Sequence, residues 1–477
     1  MFSFIHLLPL LFLSLATAYP VLTTFNVLSY GARPNRITDN SKAFVRAWND
    51  ACKSNTGGRI LVPRGTYVLG AVMFVGPCKG RVNFIIKGHL EASKNPANLF
   101  LDHWITFKYV DRLVVSGGGY LFGHGSMAWH HNDCATNHRC RSLPATMRFD
   151  FVSNSRINHI KSINSKNTHF NLFACHNVLM SHIRISAPEW SPNTDGIHIG
   201  ASSQIRIQDS IISTGDDCVA MVSGSEDIEI QRVHCGPGHG FSIGSLGGSH
   251  SELHVRGIVI RNSSLSETQN GLRIKTWAPS LPSLASDIIF EDIVMNNVNN
   301  PIFIDQQYCP RPPCNWKAQS NVQIRNVTFS KVRGTSSSKL AVKLQCSKNV
   351  PCEGIKLNNI DLAYHGREGS VASSCINVKG KSYGFQLPSG DADDDMLIAE
   401  VVDVPCDPSQ PESNKGKAFA NSRPEKKGKK RQANDDPLRI YHKNKGRSER
   451  IFGQKMKKTG FGPNGEGSTP DSAFSVD

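Results

Sequence analysis

The sequence predicts an all-β chain wound into a parallel β-helix, a single solenoid, and three observations carry that reading. First, short β-branched strands broken by Gly, Asn, Ser and Asp run from about residue 150 to 365 without an amphipathic helical stretch. Second, they fall into two interleaved series. One reads Gly196 to Ile199, Cys218 to Met221, Gly240 to Ile243, Gly271 to Ile274, Pro301 to Ile304 and Leu340 to Lys343. The other reads Gln204 to Ile207, Asp227 to Ile230, Gly257 to Ile260, Asp287 to Phe290, Asn321 to Ile324 and Gly354 to Leu357. Third, the step from Gly196 to Cys218 is 22 residues and the step to Gly240 is 22 again, with later steps of 31, 30 and 39. A period in this range marks a solenoid. Two or more short strands per period select a parallel β-helix over a leucine-rich repeat or a propeller. The longer steps then carry loops on one face. A β-sandwich has hairpin-like spacing that would not hold both series in register.

From the N-terminus, residues 1–18 read as a signal peptide: the apolar run Leu7 to Leu15 precedes the small-residue pattern Ala16, Thr17, Ala18. No Lys or Arg precedes that run, and no later apolar run reaches the roughly 18 residues a membrane span needs. The mature chain is therefore expected to be soluble, extracellular and membrane-free. Residues 19–406 form the predicted β-helix, and Ala43 to Lys53 has the spacing of one amphipathic helix that caps its N-terminal end. Residues 407–477 form a basic low-complexity tail. Its segment from Asn414 onward lacks core-forming residues and is expected to be disordered.

Thirteen cysteines suit an oxidising compartment, and their spacing suggests the pairs Cys52 with Cys78, Cys134 with Cys140, Cys218 with Cys235, Cys309 with Cys314, Cys346 with Cys352 and Cys375 with Cys406. Cys175 is left over. No CxxC spacing with an accompanying His set suggests zinc. The formal charge is +15, of which the tail supplies +7 from 16 Lys and Arg against 9 Asp and Glu. A basic secreted protein suits a polyanionic partner, whose encounter its field accelerates. Nucleic acid is a competing polyanion, but the signal peptide argues against it.

In a parallel β-helix, residues one coil apart stack on neighbouring rungs about 4.8 Å apart. Asp195, Asp217 and His239 are spaced by 22 residues each, so they are expected to form a ladder on one face. Asp216 sits beside Asp217 in the turn-like stretch Thr214 to Asp217. Neighbouring strand residues face opposite ways, so both carboxylates reach one groove only if the backbone bends, which Gly215 permits. Clustered carboxylates repel, and one of them then keeps its proton above the ordinary Asp range. An acid beside a base is what glycoside hydrolysis needs. Isolated aspartates in such a fold would be read as turn residues; three in register with a histidine would not.

Further on, Arg273 and Lys275 occupy alternate positions of one strand and face the same way. A planar fork and a point charge together suit a sugar carboxylate. Tyr308, at the end of the next strand, either bounds that subsite or packs beside Cys309.

Together these stretches resemble the polygalacturonases of glycoside hydrolase family 28, particularly the plant members. The resemblance rests on Asn193-Thr194-Asp195, Gly215-Asp216-Asp217, Gly238-His239-Gly240 and Arg273-Ile274-Lys275, in the family's order and approximate spacing. Flanking stretches such as Phe25 to Ala32 and Gly236 to Leu246 extend it over roughly residues 24 to 406. It implies a right-handed parallel β-helix that hydrolyses α-1,4-galacturonan, the acidic backbone of pectin, with inversion and without a metal or other cofactor. In that scheme Asp216 is the general acid, and Asp195 and Asp217 position and deprotonate water. His239 tunes the acid, Arg273 and Lys275 hold the substrate carboxylate, Tyr308 matches the family's groove tyrosine, and Asn193 and Gly240 shape the site. Two departures stand out: Thr276 to Ser280 replaces a Gly-rich loop of the plant relatives, and Phe122 stands where an Asp is common.

Pectin or polygalacturonate is thus the expected partner of a monomeric cell-wall enzyme. Endo cleavage is expected, because no long loop closes one groove end; exo-galacturonosidase and xylogalacturonan hydrolase are the alternatives within hydrolases. A pectate lyase would need a calcium-binding acidic cluster and an Arg base. A catalytically silent wall-binding protein is the alternative from another class, and it would have no need of the full set of acids. Asn262 and Asn326 sit in sequons open to glycosylation.

Overall fold

A computed structural model describes residues 22–94, 103–132, 142–250, 252–310, 313–389 and 402–403. The expected leader, residues 1–18, and the expected basic tail, residues 407–477, lie outside these residues. Within them the chain is a parallel β-helix. One wall is an eleven-stranded sheet running from Val72–Val75 to Ala372–Ile376, every pair parallel. The remaining strands form a twenty-stranded sheet of two ladders, which merge where long strands such as Ser203–Ser213 pair with both His176–Ser181 and Arg184–Ser186 of the preceding coil. The exception to parallel pairing is Val402–Asp403, antiparallel to Val378–Leu387.

Alternation explains why these segments are strands. In Ser203–Ser213, Ile205 and Ile207 are buried while Arg206 between them is exposed. One coil on, Ile228 and Ile230 stand opposite them, followed by Ile258 with Ile260 and Ile288 with Phe290. Like β-branched side chains on successive rungs fill the interior and fix the register, since a one-residue slip would turn the set outward.

The first series holds in register through Ile197, Val219, Phe241, Leu272 and Ile302. The last step differs: Ile302 pairs with Val342, so the partner of Pro301 to Ile304 is 341–344, a step of 40 rather than 39. That places Lys343 outward and Leu344 in the core, which the expected alignment would have inverted. In the second series, Ile288 pairs with Val327, so 326–329 is the partner of Asp287 to Phe290. The stretch from Asn321 to Ile324 lies upstream, with Val322 and Ile324 opposite Ser283 and Ala285. The strands Ser283–Val298 and Val322–Ser336 are long enough to carry two apolar alternations, and spacing alone does not choose between them.

The predicted helix is present as Ser41–Lys53. It buries Phe44, Ala47, Trp48 and Ala51 against the first coils, where Trp48 meets Phe74 at 5.2 Å and Phe107 at 5.5 Å between ring centroids. Large aromatic rings thus seal the open end of the solenoid against water. Phe122 is accommodated in the strand Tyr120–Phe122, opposite Glu91 and Ile163, with its ring against that of His124.

Disulfides join Cys52 to Cys78, Cys218 to Cys235, Cys309 to Cys314 and Cys346 to Cys352, as the spacing suggested. Cys375 is also disulfide-bonded, Cys175 is free and buried, and Cys134, Cys140 and Cys406 lie outside the described residues. Among the described residues no helix is long and apolar enough to cross a membrane.

Candidate active site

Asp195, Asp217 and His239 each stand two residues ahead of a strand of the eleven-stranded sheet, namely Ile197–Gly200, Val219–Met221 and Phe241–Leu246. Backbone bonds stack these turns: Gly196 donates to the Asp217 carbonyl at 2.9 Å, and Cys218 to that of Gly240 at 2.8 Å. The equal spacing in the sequence therefore becomes contact in space. Asp216 and Asp217 precede the strand rather than lying in it, so strict alternation does not separate them. The bend rests on close packing at Gly215, where a Cβ would lie 2.1 Å from the Ser191 carbonyl oxygen. The Gly215 amide donates to Thr194 Oγ1 at 3.0 Å, which ties this turn to the one carrying Asp195.

Asp216 Oδ1 lies 3.0 Å from His239 Nδ1 and accepts from the Asp217 amide at 2.8 Å, while the His239 amide donates to the Asp216 carbonyl at 2.8 Å. Asp217 is 2% exposed; its Oδ1 accepts from Ser242 Oγ at 2.6 Å and its Oδ2 from Lys275 Nζ at 3.0 Å. Asp195 Oδ2 lies 3.3 Å from His198 Nδ1, and the buried Asp195 Oδ1 has no hydrogen-bond partner in the protein.

These environments separate the ionisations. Burial, reinforced by the charges of Asp216 and Asp217, pushes the Asp195 carboxyl up to about 6 against the pull of His198. Burial also opposes the charge on Asp216, but the hydrogen bond and charge of His239, with Lys275 behind them, hold it below the ordinary carboxylate range. For His239, burial works against the imidazolium, and the bond to Asp216 outweighs it and raises its pKa. Lys275 is likewise raised, because Asp217 and, further off, Tyr308 and Asp216 overcome the cost of burying the ammonium. A carboxyl with a raised pKa, a carboxylate bonded to a buried lysine and a hydrogen-bonded Asp–His pair thus meet at one line of turns, an arrangement suited to acid–base chemistry.

Arg273 and Lys275 lie on Asn270–Trp277 on either side of buried Ile274, facing outward as expected. Both cations lie over the Tyr308 ring, with Arg273 Cζ at 5.0 Å and Lys275 Nζ at 5.2 Å from its centroid. Each also pairs within the protein: Lys275 with Asp217, and Arg273 Nη2 with Asp305 Oδ2 at 3.1 Å. Tyr308 closes this corner edge-on to Trp277, 5.1 Å between centroids. Asn193, in the left-handed region that Asn tolerates, accepts at Oδ1 from Asn132 Nδ2 at 2.9 Å.

Sequence reasoning missed His198, Ser242 and Asp305. The signal was present: His198, Ala220, Ser242 and Arg273 occupy one register position of successive strands, so the polar residue of each outward slot faces the groove. Asp216, Asp217 and His239 are also the described residues whose ligand atoms all lie within 4.8 Å of one another, the set that could hold a metal ion. The Lys275 ammonium bonded to Asp217 already supplies the compensating positive charge there.

Comparisons with known proteins bear on the family and the fold. Over 368 residues the chain is 42% identical to a protein of Platanus acerifolia named exopolygalacturonase, which covers 77% of this chain and 97% of that one. It is 43% identical over 364 residues to a polygalacturonase of Nicotiana tabacum, covering 76% and 91%. Among solved structures, an endo-xylogalacturonan hydrolase from Aspergillus tubingensis superposes with a TM-score of 0.65 at 22% identity, covering 75% of this chain and 96% of that one. At that identity the match bears on the fold alone, the right-handed parallel β-helix. The family model for glycosyl hydrolases family 28 matches residues 52–384, a span that takes in every proposed site residue, and on these grounds the chain belongs to that family of glycoside hydrolases.

Proposed function

We propose that this glycoside hydrolase cleaves the α-1,4-galacturonosyl linkages of pectin's homogalacturonan with inversion. The observation that carries the reading is the meeting of Asp195, Asp216 and Asp217 with His239 and Lys275 at one line of turns. Asp216 protonates the leaving glycosidic oxygen, taking its proton from the bond shared with His239, which becomes neutral. A water held between Asp195 and Asp217 attacks the anomeric carbon from the opposite face and gives its proton to a carboxylate of that pair. The water has a ready acceptor in the unpartnered Asp195 Oδ1. Arg273 and Lys275, backed by Tyr308, bind the uronate carboxylate, and Asn193 supports the turn. No metal or other cofactor enters the reaction.

The protein is taken to act as a secreted, cell-wall monomer after removal of residues 1–18, with 19–406 as the catalytic solenoid and 407–477 as a basic tail. The disulfides among the described residues support an oxidising, extracellular setting. Cleavage within the polymer is the first reading. Stepwise release from a chain end is the second, favoured by the name of the Platanus acerifolia relative. The test measures reducing ends released from polygalacturonate by wild type and by Asp216→Asn, with product size followed over time. Equal rates from the two proteins would remove Asp216 as the acid, and monomer as the sole early product would select the second reading.

A further inference from the structure

We infer that Trp190 is a stacking platform for a galacturonosyl ring away from the scissile bond, an inference that rests on the substrate proposed above. Trp190 is 73% exposed, on the turn that leads directly into Asp195. Trp, with a large apolar ring and one polar N–H, is enriched at binding interfaces, and this one lies five residues ahead of Asp195 in the chain.

The residue is exposed but not loose. Its ring meets Trp129 edge to face, 5.2 Å between centroids at an interplanar angle of 88°. Trp129 is itself buried, its Nε1 donating to the Ser165 carbonyl at 3.0 Å, and it is wedged so closely on Gly125 that a Cβ there would lie 2.6 Å from its ring. Behind Trp190 the turn is closed by Ser191, whose amide and Oγ both donate to the Pro188 carbonyl, at 3.0 and 2.6 Å. Ser191 Oγ also bonds Thr194 Oγ1 at 2.6 Å, and Thr194 Oγ1 receives the Gly215 amide. The backbone that carries the indole is therefore tied by the same hydrogen bonds that join the Asp195 and Asp216 turns, while Trp129 braces the ring itself. A preorganised aromatic loses little freedom when it binds.

The ligand chemistry follows. A galacto-configured ring has its O4 axial, which leaves the C–H bonds of C3, C4 and C5 together on one face as an apolar patch for an indole. The residue beside Trp190 is the exposed Glu189, not a cation, so this position recognises the ring face rather than the uronate carboxylate. Its contribution should then be insensitive to salt, unlike that of Arg273 and Lys275.

The experiment compares wild type, Trp190→Ala and Trp190→Phe of the full chain on polygalacturonate and on short and long oligogalacturonides, at low and high salt. The expected result for Trp190→Ala is a KM raised about three- to ten-fold on long substrates. It should keep kcat and Tm near wild type, show the same fold-loss at both salt concentrations, and recover most of its KM in Trp190→Phe. An unchanged KM, a defect that Trp190→Phe does not restore, or a loss confined to low salt would overturn the inference. Failure of wild type itself to release reducing ends from polygalacturonate would instead overturn the proposed function, so the two failures are distinct.

Discussion

Lys275 Nζ lies 3.0 Å from Asp217 Oδ2 across 58 residues of chain, with the two side chains 11% and 2% exposed. A cation expected to await a sugar carboxylate is thus already bound to a carboxylate of the acid cluster. Removing one partner of a buried pair leaves the other charge without compensation, which costs about 3–5 kcal/mol. Lys275→Met is accordingly expected to lower the unfolding free energy by about 3 kcal/mol or more, read by urea denaturation, and adding Asp217→Asn should restore part of it. A loss below about 1 kcal/mol would show that the pair is not maintained in solution.

Asp195 carries a stability cost for the sake of its site. Its carboxyl is pushed up to about 6 in the folded protein, against about 3.9 when unfolded. Between those values the folded state binds more protons than the unfolded one, so this group's contribution to stability falls as pH rises through that window. Asp195→Asn should therefore abolish hydrolysis yet raise stability at pH 7.5 by on the order of 2 kcal/mol, with the gain shrinking toward pH 4. Denaturation of both proteins at the two pH values checks it; equal destabilisation at both would refute the burial argument.

The pH dependence of activity should carry the mark of His239. Its pKa is raised above the ordinary imidazole value by the bond to Asp216, so the shared proton is present below that value and lost as pH rises through the raised one. Values of kcat/KM on polygalacturonate are expected to fall as pH rises above the ordinary imidazole value of about 6.5 at constant ionic strength. A profile flat to the alkaline end would detach the acid from His239.

Close packing at Gly215 sets the backbone next to Asp216, the proposed acid. A methyl there meets the Ser191 carbonyl oxygen at 2.1 Å and that of Glu189 at 2.8 Å, two backbone atoms that leave it little room to relax. Gly215→Ala is expected to cost about 1–3 kcal/mol in stability. Because Asp216 is the next residue, it should also lower kcat more than it changes KM. Kinetics of Gly215→Ala beside thermal unfolding separate the two effects, and wild-type kcat would show that the turn does not aim the acid.

How much of this was legible depended on the kind of information each feature needs. The 22-residue steps gave the ladder of Asp195, Asp217 and His239 because in a solenoid equal spacing along the chain is adjacency across the sheet. The capping helix was legible from its apolar stripe, and four disulfides from short spacing. The slip at Leu340 and the misplaced partner at Asn321 arose where inserted loops break the period and more than one apolar alternation is available. His198, Ser242 and Asp305 were overlooked although each stands on a strand that faces the groove.

The sequence by itself determined the solenoid, the face that carries chemistry and the acids that converge there, because these follow from periodicity and the two-residue alternation of a strand. Only the tertiary structure decided which cation answers which carboxylate, which carboxyl is raised in pKa and how Trp190 is braced. Those outcomes turn on separations of a few ångströms and on exclusion from water, and both are set by how coils of unequal length pack against one another.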